Sequence, residues 1–315
     1  MPYPIEEKLV IAIASSAIFN LSESDRIFRE NGMEEYRKYQ KEHRSEELEK
    51  GVAFPFIKRF LNLNNVFKDE KPVEVILLSR NTPETGLRVF NSIKSYELDI
   101  TRAAFLSGKS PHSYIPAFNV SLFLSADSQD TRRAVDAGYP AGTVIPSIFQ
   151  DEETDSELRI AFDFDGVIAD DEAETVYQTN HDLSLFHTSE SNKVSTPHNP
   201  GPLKELLIKL SLLQKLEKQK KLNNGDYSRL LRIAIVTARN APAHERLVTT
   251  LTEWQVEPDE TFFLGGIDKT RILEILKPHV FFDDQKSHLE SSAKKIPSVH
   301  IPFGIMNKVA EEEAE

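Results

Sequence analysis

The chain has 315 residues, of which 50 are acidic and 38 are basic, so its formal net charge is -12. It contains no cysteine, which excludes disulfides, thiolate metal sites and a cysteine nucleophile. An acidic chain lacks the positive surface of a general nucleic-acid-binding protein, so we expect no nucleic-acid partner. The length predicts two domains.

The apolar run at residues 9–21 resembles the core of a signal sequence. Glu6 and Glu7 precede it, however, where a signal sequence carries positive charge, so a strand is the better interpretation. The sequence has no uncharged apolar stretch of about 18 residues, which predicts no membrane span and no membrane partner. We therefore expect a cytoplasmic protein.

Short apolar runs alternate with longer charged segments along the chain, a pattern typical of an α/β protein with a parallel sheet. The runs that predict strands lie at 9–13, 73–78, 120–124, 160–162, 233–236 and 280–282. The segments that predict helices lie at 25–50, 85–96, 130–137, 202–221, 243–254 and 272–276. We expect Rossmann-like units, in which helices flank parallel strands.

Three short motifs of the first half recur in the second half. The matched positions, each pair 158 residues apart, are Ser79 and Thr237, Leu106 and Leu264, and Ser125 and Asp283. The segment at 11–17 similarly matches the segment at 160–166. We infer an internal duplication, with one domain at 1–150 and a second at 151–315 that ends in an acidic tail.

Two aspartates follow a predicted strand of the second half. Asp163 and Asp165 come directly after the run at 160–162, and Gly166 allows a close turn of the backbone. The carboxyl ends of parallel strands are where open α/β sheets bind ligands. One carboxylate could attack a substrate while the other transfers a proton, although such a pair taken alone is more often a helix cap.

Further polar residues follow the other predicted strands of this half. Thr237 has a hydroxyl that can donate to a phosphate oxygen, and Lys269 precedes a predicted helix. In isolation each has an ordinary explanation, as a cap or a surface lysine. Asp283 and Asp284 follow three apolar residues, where a pair of carboxylates is costly unless it meets a cation such as Mg²⁺.

The order Asp-x-Asp, Thr, Lys, Asp-Asp resembles the four-motif arrangement of the haloacid dehalogenase superfamily, whose phosphatases use an aspartate nucleophile with Mg²⁺. The resemblance implies that Asp163 attacks phosphorus and that Asp165 is the general acid and base. It also implies that Thr237 and Lys269 hold the phosphoryl group. The metal ligands it implies are Asp163, Asp165, Asp283 and Asp284. The residues beside these motifs that we expect to contact substrate are Gly166, Val167, Ala238 and Arg239.

A closer resemblance covers residues 9–303. The stretches at 77–81, 102–108, 118–120 and 281–285 are similar to type I cytosolic 5′-nucleotidases. That resemblance implies Mg²⁺-dependent hydrolysis of nucleoside 5′-monophosphates, AMP and IMP among them, including deoxy forms. Assembly into a homo-oligomer is compatible with this interpretation.

Three alternatives bear on this prediction. A phosphatase of the same superfamily acting on sugar phosphates or other small phosphate monoesters would carry the same four motifs. A nucleotide-binding sensor without turnover would lack the aspartates, which the second half retains. A response-regulator receiver module places its acidic pair before the lysine, whereas here Asp283 follows Lys269.

The first half has lost the groups that carry chemistry in the second. Ala14, Ser16 and Ser125 stand at the positions of Asp163, Asp165 and Asp283. This degenerate domain either supports the other domain or helps to form a nucleoside pocket. The residues that would supply hydrogen-bond donors for such a pocket are Arg80, Asn81, Arg88 and Asn91.

Overall fold

The computed structural model describes residues 3–180 and 182–312. The chain divides into two compact units, unit 1 at Met1–Val144 and unit 2 at Ile145–Glu315, close to the predicted boundary. Among the described residues, none of the helices is long and apolar enough to cross a membrane.

Unit 1 contains five parallel strands in the order β3-β2-β1-β4-β5. The strands are β1 (Leu9–Ile13), β2 (Val73–Ser79), β3 (Arg102–Phe105), β4 (Val120–Ser125) and β5 (Ala141–Val144). The helices are α1 (Ser15–Ile18), α2 (Ser22–Glu42), α3 (Phe54–Val66), α4 (Gly86–Ser95) and α5 (Ser128–Asp136). The strand predicted at 9–13 is confirmed as β1.

Unit 2 repeats this arrangement, with its strands in the order β8-β7-β6-β9-β10. The strands are β6 (Leu158–Phe162), β7 (Leu231–Thr237), β8 (Glu260–Phe263), β9 (Val280–Asp283) and β10 (Ser298–His300). The helices are α6 (Glu172–Asn180), α7 (Leu183–Asn192), α8 (Lys204–Asn223), α9 (His244–Glu253), α10 (Thr270–Leu276), α11 (Lys286–Ser292) and α12 (Ile305–Glu312). Of the acidic tail at 311–315, which the sequence predicts to be disordered, residues 311 and 312 belong to α12 and residues 313–315 lie outside the described residues.

The two units share local hydrogen bonds as well as strand order. In unit 1 the Leu106 N–H donates to the Ser79 carbonyl, and in unit 2 the Leu264 N–H donates to the Thr237 carbonyl, both at 3.0 Å. Likewise, the Leu48 N–H of unit 1 donates to Ser92 Oγ at 2.9 Å, and the His198 N–H of unit 2 donates to Thr250 Oγ1 at 3.0 Å. The α/β fold with parallel strands is thereby confirmed, and the repeated contacts are consistent with an internal duplication.

The central strands are buried because helices cover the sheet, which is why they read as continuous apolar runs. Every residue of β1 and β2 is buried. The core around the sheet of unit 1 includes Val10, Ile76 and Phe123, and the core of unit 2 includes Ala161, Val236 and Phe281. These cores fix the strand ends, where the polar motifs lie.

The helix predicted at 25–50 is wrong in its bounds. The observed helix, α2, ends at Glu42 and has an interruption at Gly32, whose φ is 81°. A positive φ is outside the helical region, and glycine adopts it without a steric penalty. The charged segment that predicted one long helix therefore spans a kink at Gly32 and a loop after Glu42.

Candidate active site

Four of the predicted motif residues meet at the carboxyl end of the unit 2 sheet. Asp163 directly follows β6, Thr237 ends β7, Asp283 ends β9, and Lys269 lies immediately before α10. Strand β6 pairs in parallel with both β7 and β9. Parallel pairing aligns the strand ends, so Asp163 lies between the ends of its two neighbours, where such sheets bind ligands.

Lys269 joins two of the aspartates. Its Nζ lies 2.6 Å from Asp163 Oδ2 and 2.7 Å from Asp283 Oδ2, and its side chain is 4% exposed. Burial alone would lower the pKa of Lys269, but the attraction of both carboxylates raises it above its ordinary value. The lysine is thus a permanently charged, fixed cation beside Asp163.

The buried carboxylates outnumber this cation. Burial raises the pKa of Asp163 to about 6, against the pull of Lys269, with a further contribution from Asp283. Burial also raises the pKa of Asp284 well above its usual range, and the neighbouring aspartates add to the rise. Asp283 would also be raised by burial, but Lys269 and His288 lower its pKa overall. This imbalance of charge favours the binding of a further cation.

The donor atoms present fit a divalent cation. Asp163, Asp283 and His288 each offer a ligand atom, all within 4.8 Å of one another. Among the described residues, no hydrogen-bond donor reaches the buried Oδ1 of Asp284. Gly166, with φ 71°, packs so closely on Asp284 that an added Cβ would lie 2.4 Å from Oδ2. Carboxylate oxygens suit a hard ion such as Mg²⁺.

Asp165 is held by an arginine. Arg239 donates from Nε to Asp165 Oδ2 at 2.7 Å and from Nη2 to Oδ1 at 2.6 Å. The guanidinium is 2% exposed, so this two-bond pair lies in a largely dry environment. Burial would lower the pKa of Arg239, but Asp165 and Glu190 raise it. The two hydrogen bonds fix the orientation of the Asp165 side chain.

A buried ionic network extends behind Arg239. Glu190, whose side chain is 1% exposed, accepts hydrogen bonds from Arg239 and, at 2.8 Å, from Arg246 Nη1. His198 Nε2 lies 3.3 Å from Glu190. Arg246 also donates from Nη2 to Glu172 Oε2 at 2.9 Å. These contacts tie α6, α7 and α9 to the residue that orients Asp165.

The remaining residues predicted to contact substrate differ in their burial and in their hydrogen bonds. Thr237 is buried, and its Oγ1 accepts the Arg239 N–H at 3.2 Å. Val167 is fully buried, whereas Ala238 is exposed. The guanidinium of Arg239, a residue predicted to contact substrate, donates hydrogen bonds to Asp165, to Glu190 and, at 3.2 Å, to the Ala243 carbonyl.

The two predicted substrate residues of the first half lie in unit 1, in different surroundings. Asn81 accepts from the Tyr36 hydroxyl at 3.2 Å, and Arg88 donates from Nε to the Glu46 carbonyl at 3.1 Å. They line two separate cavities of unit 1, Asn81 one of about 300 Å³ and Arg88 one of about 560 Å³. The structure therefore does not bring these two residues together.

Sequence reasoning missed Glu190, Arg246 and His288. Glu190 and His288 both lie outside the sequence motifs. Arg246 had a usable signal, because it matches Arg88 at the same spacing of 158 residues as the other repeated positions. Extending the repeat to charged helix positions would have singled it out.

Comparison with known proteins gives an independent result. The sequence model of a family described as 5′-nucleotidase matches residues 1–308. Human cytosolic 5′-nucleotidase 1B is 34% identical in an alignment of 301 residues, and the match covers 93% of this chain and 49% of that protein. The chain thus spans about half the length of this relative.

Among solved structures, histidinol dehydrogenase from Elizabethkingia anophelis aligns over 93% of this chain and 52% of that chain, with 8% identity. Its TM-score of 0.21 is too low to carry an argument about fold or function. The family match covers almost the whole sequence and the motif residues described above. This chain therefore belongs to the 5′-nucleotidase family.

Proposed function

We propose that this chain is a cytosolic, Mg²⁺-dependent phosphoric monoester hydrolase that converts nucleoside 5′-monophosphates, such as AMP and IMP, into nucleoside and phosphate. Family membership and the name of the human relative support the substrate class and the location. The observation that carries the chemistry is the buried bridge from Lys269 to Asp163 and Asp283. This bridge holds a carboxylate in place at the ligand-binding end of the sheet.

Asp163 is the proposed nucleophile. Its Oδ1 accepts the Phe164 N–H at 2.7 Å and its Oδ2 contacts Lys269, so the carboxylate has a fixed orientation. With a pKa raised only to about 6, it is mainly ionised at neutral pH. A carboxylate oxygen attacks phosphorus, the bond from phosphorus to O5′ breaks, and an aspartyl-phosphate forms.

Asp165 is the proposed acid and base. In the first step it gives a proton to the departing O5′, and in the second it takes a proton from the water that attacks the aspartyl-phosphate and releases Asp163. Arg239 donates one hydrogen bond to each carboxyl oxygen of Asp165 and so fixes the orientation of this side chain.

Phosphoryl transfer also requires positive charge and hydrogen-bond donors at the equatorial oxygens. Lys269, immediately before α10, supplies a cation, and Thr237, at the end of β7, supplies a hydroxyl. Mg²⁺, held by Asp163, Asp283, Asp284 and the carbonyl of Asp165, would add charge stabilisation of the same oxygens.

Trapping of the covalent intermediate tests this proposal. The chain is mixed with phosphorus-labelled AMP and Mg²⁺, quenched in acid within one turnover, and separated from free phosphate. We expect label on the wild-type chain and on Asp226→Asn, a matched change in an exposed part of unit 2, and none on Asp163→Asn. Equal labelling of Asp163→Asn would contradict the assignment of the nucleophile.

A further inference from the structure

Unit 1 contains a cavity at the same end of its sheet as the catalytic residues of unit 2. It lies at the carboxyl ends of β1, β2 and β4 and has a volume of about 300 Å³. Pockets that hold small molecules are roughly 300–1,000 Å³, so this cavity is large enough for one small ligand.

The cavity has kept its place in the fold while losing the catalytic groups. Four residues that line the cavity correspond, in the internal repeat, to the catalytic residues of unit 2, and all four are uncharged. Ala14, Ser16, Ser79 and Pro111 correspond to Asp163, Asp165, Thr237 and Lys269, respectively. Without a nucleophile or an ammonium group, the cavity is suited to binding without turnover.

The charges that remain do not suit an anion. Arg80 donates to Asp130 from Nε at 2.7 Å and from Nη2 at 2.6 Å, and Asp127 lies 3.6 Å from the same guanidinium. The lining thus contains one arginine that is already neutralised, together with Asp25, Asp127 and Asp130. The excess of carboxylates repels phosphate and favours a neutral or cationic molecule.

The uncharged groups suit a molecule with hydroxyls and a flat ring. Ser15 and Ser79 lie at the base of the cavity, where their hydroxyls are 3.0 Å apart, and the Asn81 amide lies beside them. Tyr36 adds an aromatic ring and Asp25 a carboxylate that can accept from a diol. Aromatic rings stack on nucleobases, and hydroxyl and amide groups match the edges of a base and the ribose.

We infer that the unit 1 cavity binds a neutral nucleoside, the dephosphorylated form of the proposed substrate, and excludes the corresponding monophosphate. The identification of this ligand as the reaction product rests on the proposed function. The geometry and the charge of the cavity are independent of the proposed function.

Calorimetric titration of the full chain tests the inference. We would titrate adenosine into Asp163→Asn with Mg²⁺ and saturating AMP, which occupies the catalytic site without turnover. Binding of adenosine should remain. Ser16→Phe places a large side chain in the cavity and should weaken adenosine binding at least about tenfold. Tyr36→Leu removes the aromatic ring and should weaken adenosine binding about tenfold through loss of stacking. Ser113→Phe, at an exposed serine of unit 1 that does not line the cavity, should leave it unchanged.

Three results would overturn the inference: no adenosine binding in the presence of AMP, an equal loss in Ser113→Phe, or binding of inorganic phosphate that Ser16→Phe abolishes. Circular dichroism of each variant tests whether it is folded. The two cavity variants are independent tests, because Ser16→Phe fills the cavity and Tyr36→Leu removes its aromatic ring. Phosphate release from AMP is measured separately on the wild-type chain. If that activity is absent while the Ser16-sensitive binding persists, the proposed function fails and the nucleoside site stands.

Discussion

Replacement of Glu190 by glutamine tests the buried network that supports Asp165. The side chain is 1% exposed and interacts with Arg239, Arg246 and His198. Glutamine has nearly the same shape and keeps one acceptor oxygen, but it removes the negative charge between two arginines. The variant therefore isolates the electrostatic part of the network from its packing.

The expected loss of stability follows from the pKa of Glu190. Burial opposes ionisation, but His198 and Arg239 lower this pKa from 4.5 to about 2. A shift of this size corresponds to about 3 kcal/mol of stability at neutral pH. Removing one partner from a buried ion pair costs about 3–5 kcal/mol, which is the same order. We expect Glu190→Gln to lower the free energy of unfolding of unit 2 by about 3 kcal/mol.

The pH dependence has a defined sign. Because the pKa is lower in the folded state, the contribution is fully present above pH 4.5 and is lost as the pH falls toward 2. The difference between wild type and Glu190→Gln should therefore be largest at neutral pH and shrink below pH 4.5. Other carboxylates titrate in the same range, but their effects cancel in this difference.

Tryptophan fluorescence provides the assay. The chain has one tryptophan, Trp254, which follows α9, the helix that carries Arg246, so urea unfolding followed by its fluorescence reports on unit 2. Glu274→Gln is the control, since its partner Lys295 is exposed and such pairs contribute at most about 1 kcal/mol. A loss in Glu190→Gln no greater than in the control, or one that does not change with pH, would refute the reasoning.

Three further results are expected at the site. A lysine at position 239 cannot make the two-bond contact to Asp165, so in Arg239→Lys kcat should fall by about tenfold or more with little change in KM. Steady-state kinetics with AMP measure both constants, and a raised KM with an unchanged kcat would make Arg239 a substrate-binding residue. Chelation of divalent ions should abolish activity and lower the melting temperature, because an ion that binds only the folded state stabilises it; full activity in excess chelator would contradict a metal role. Asp165→Asn should impair hydrolysis of AMP more than that of p-nitrophenyl phosphate, whose leaving group needs little protonation; equal losses would argue against the acid role.

The sequence predicted β1, β2, β4, β6, β7 and β9 and missed β3, β5, β8 and β10. The strands β1, β2, β6 and β7 are covered on both faces and read as apolar runs. By contrast, β3 and β8 have four half-buried residues each and contain polar side chains. Such short strands owe their existence to pairing with a neighbour, which no local pattern records.

Asp163, Thr237 and Asp283 were predictable because each follows an apolar run, and the topology aligns the strand ends. The partners of these residues were not. Asp165 and Arg239 are separated by 74 positions, and Arg239 and Glu190 by 49, so only the packed fold shows that they are paired. The sequence suggested a substrate contact for Arg239, and the structure pairs its guanidinium with Asp165.

The central claim is that Asp163 makes this chain a nucleotidase. The most direct measurement is the phosphate released, with Mg²⁺, from a panel of nucleoside 5′-monophosphates and sugar phosphates by the wild-type chain, Asp163→Asn and the control Asp226→Asn. We expect release from AMP or IMP to exceed that from every sugar phosphate, to persist in Asp226→Asn and to vanish in Asp163→Asn. Faster release from sugar phosphates would contradict the substrate class, and full activity of Asp163→Asn would contradict the mechanism.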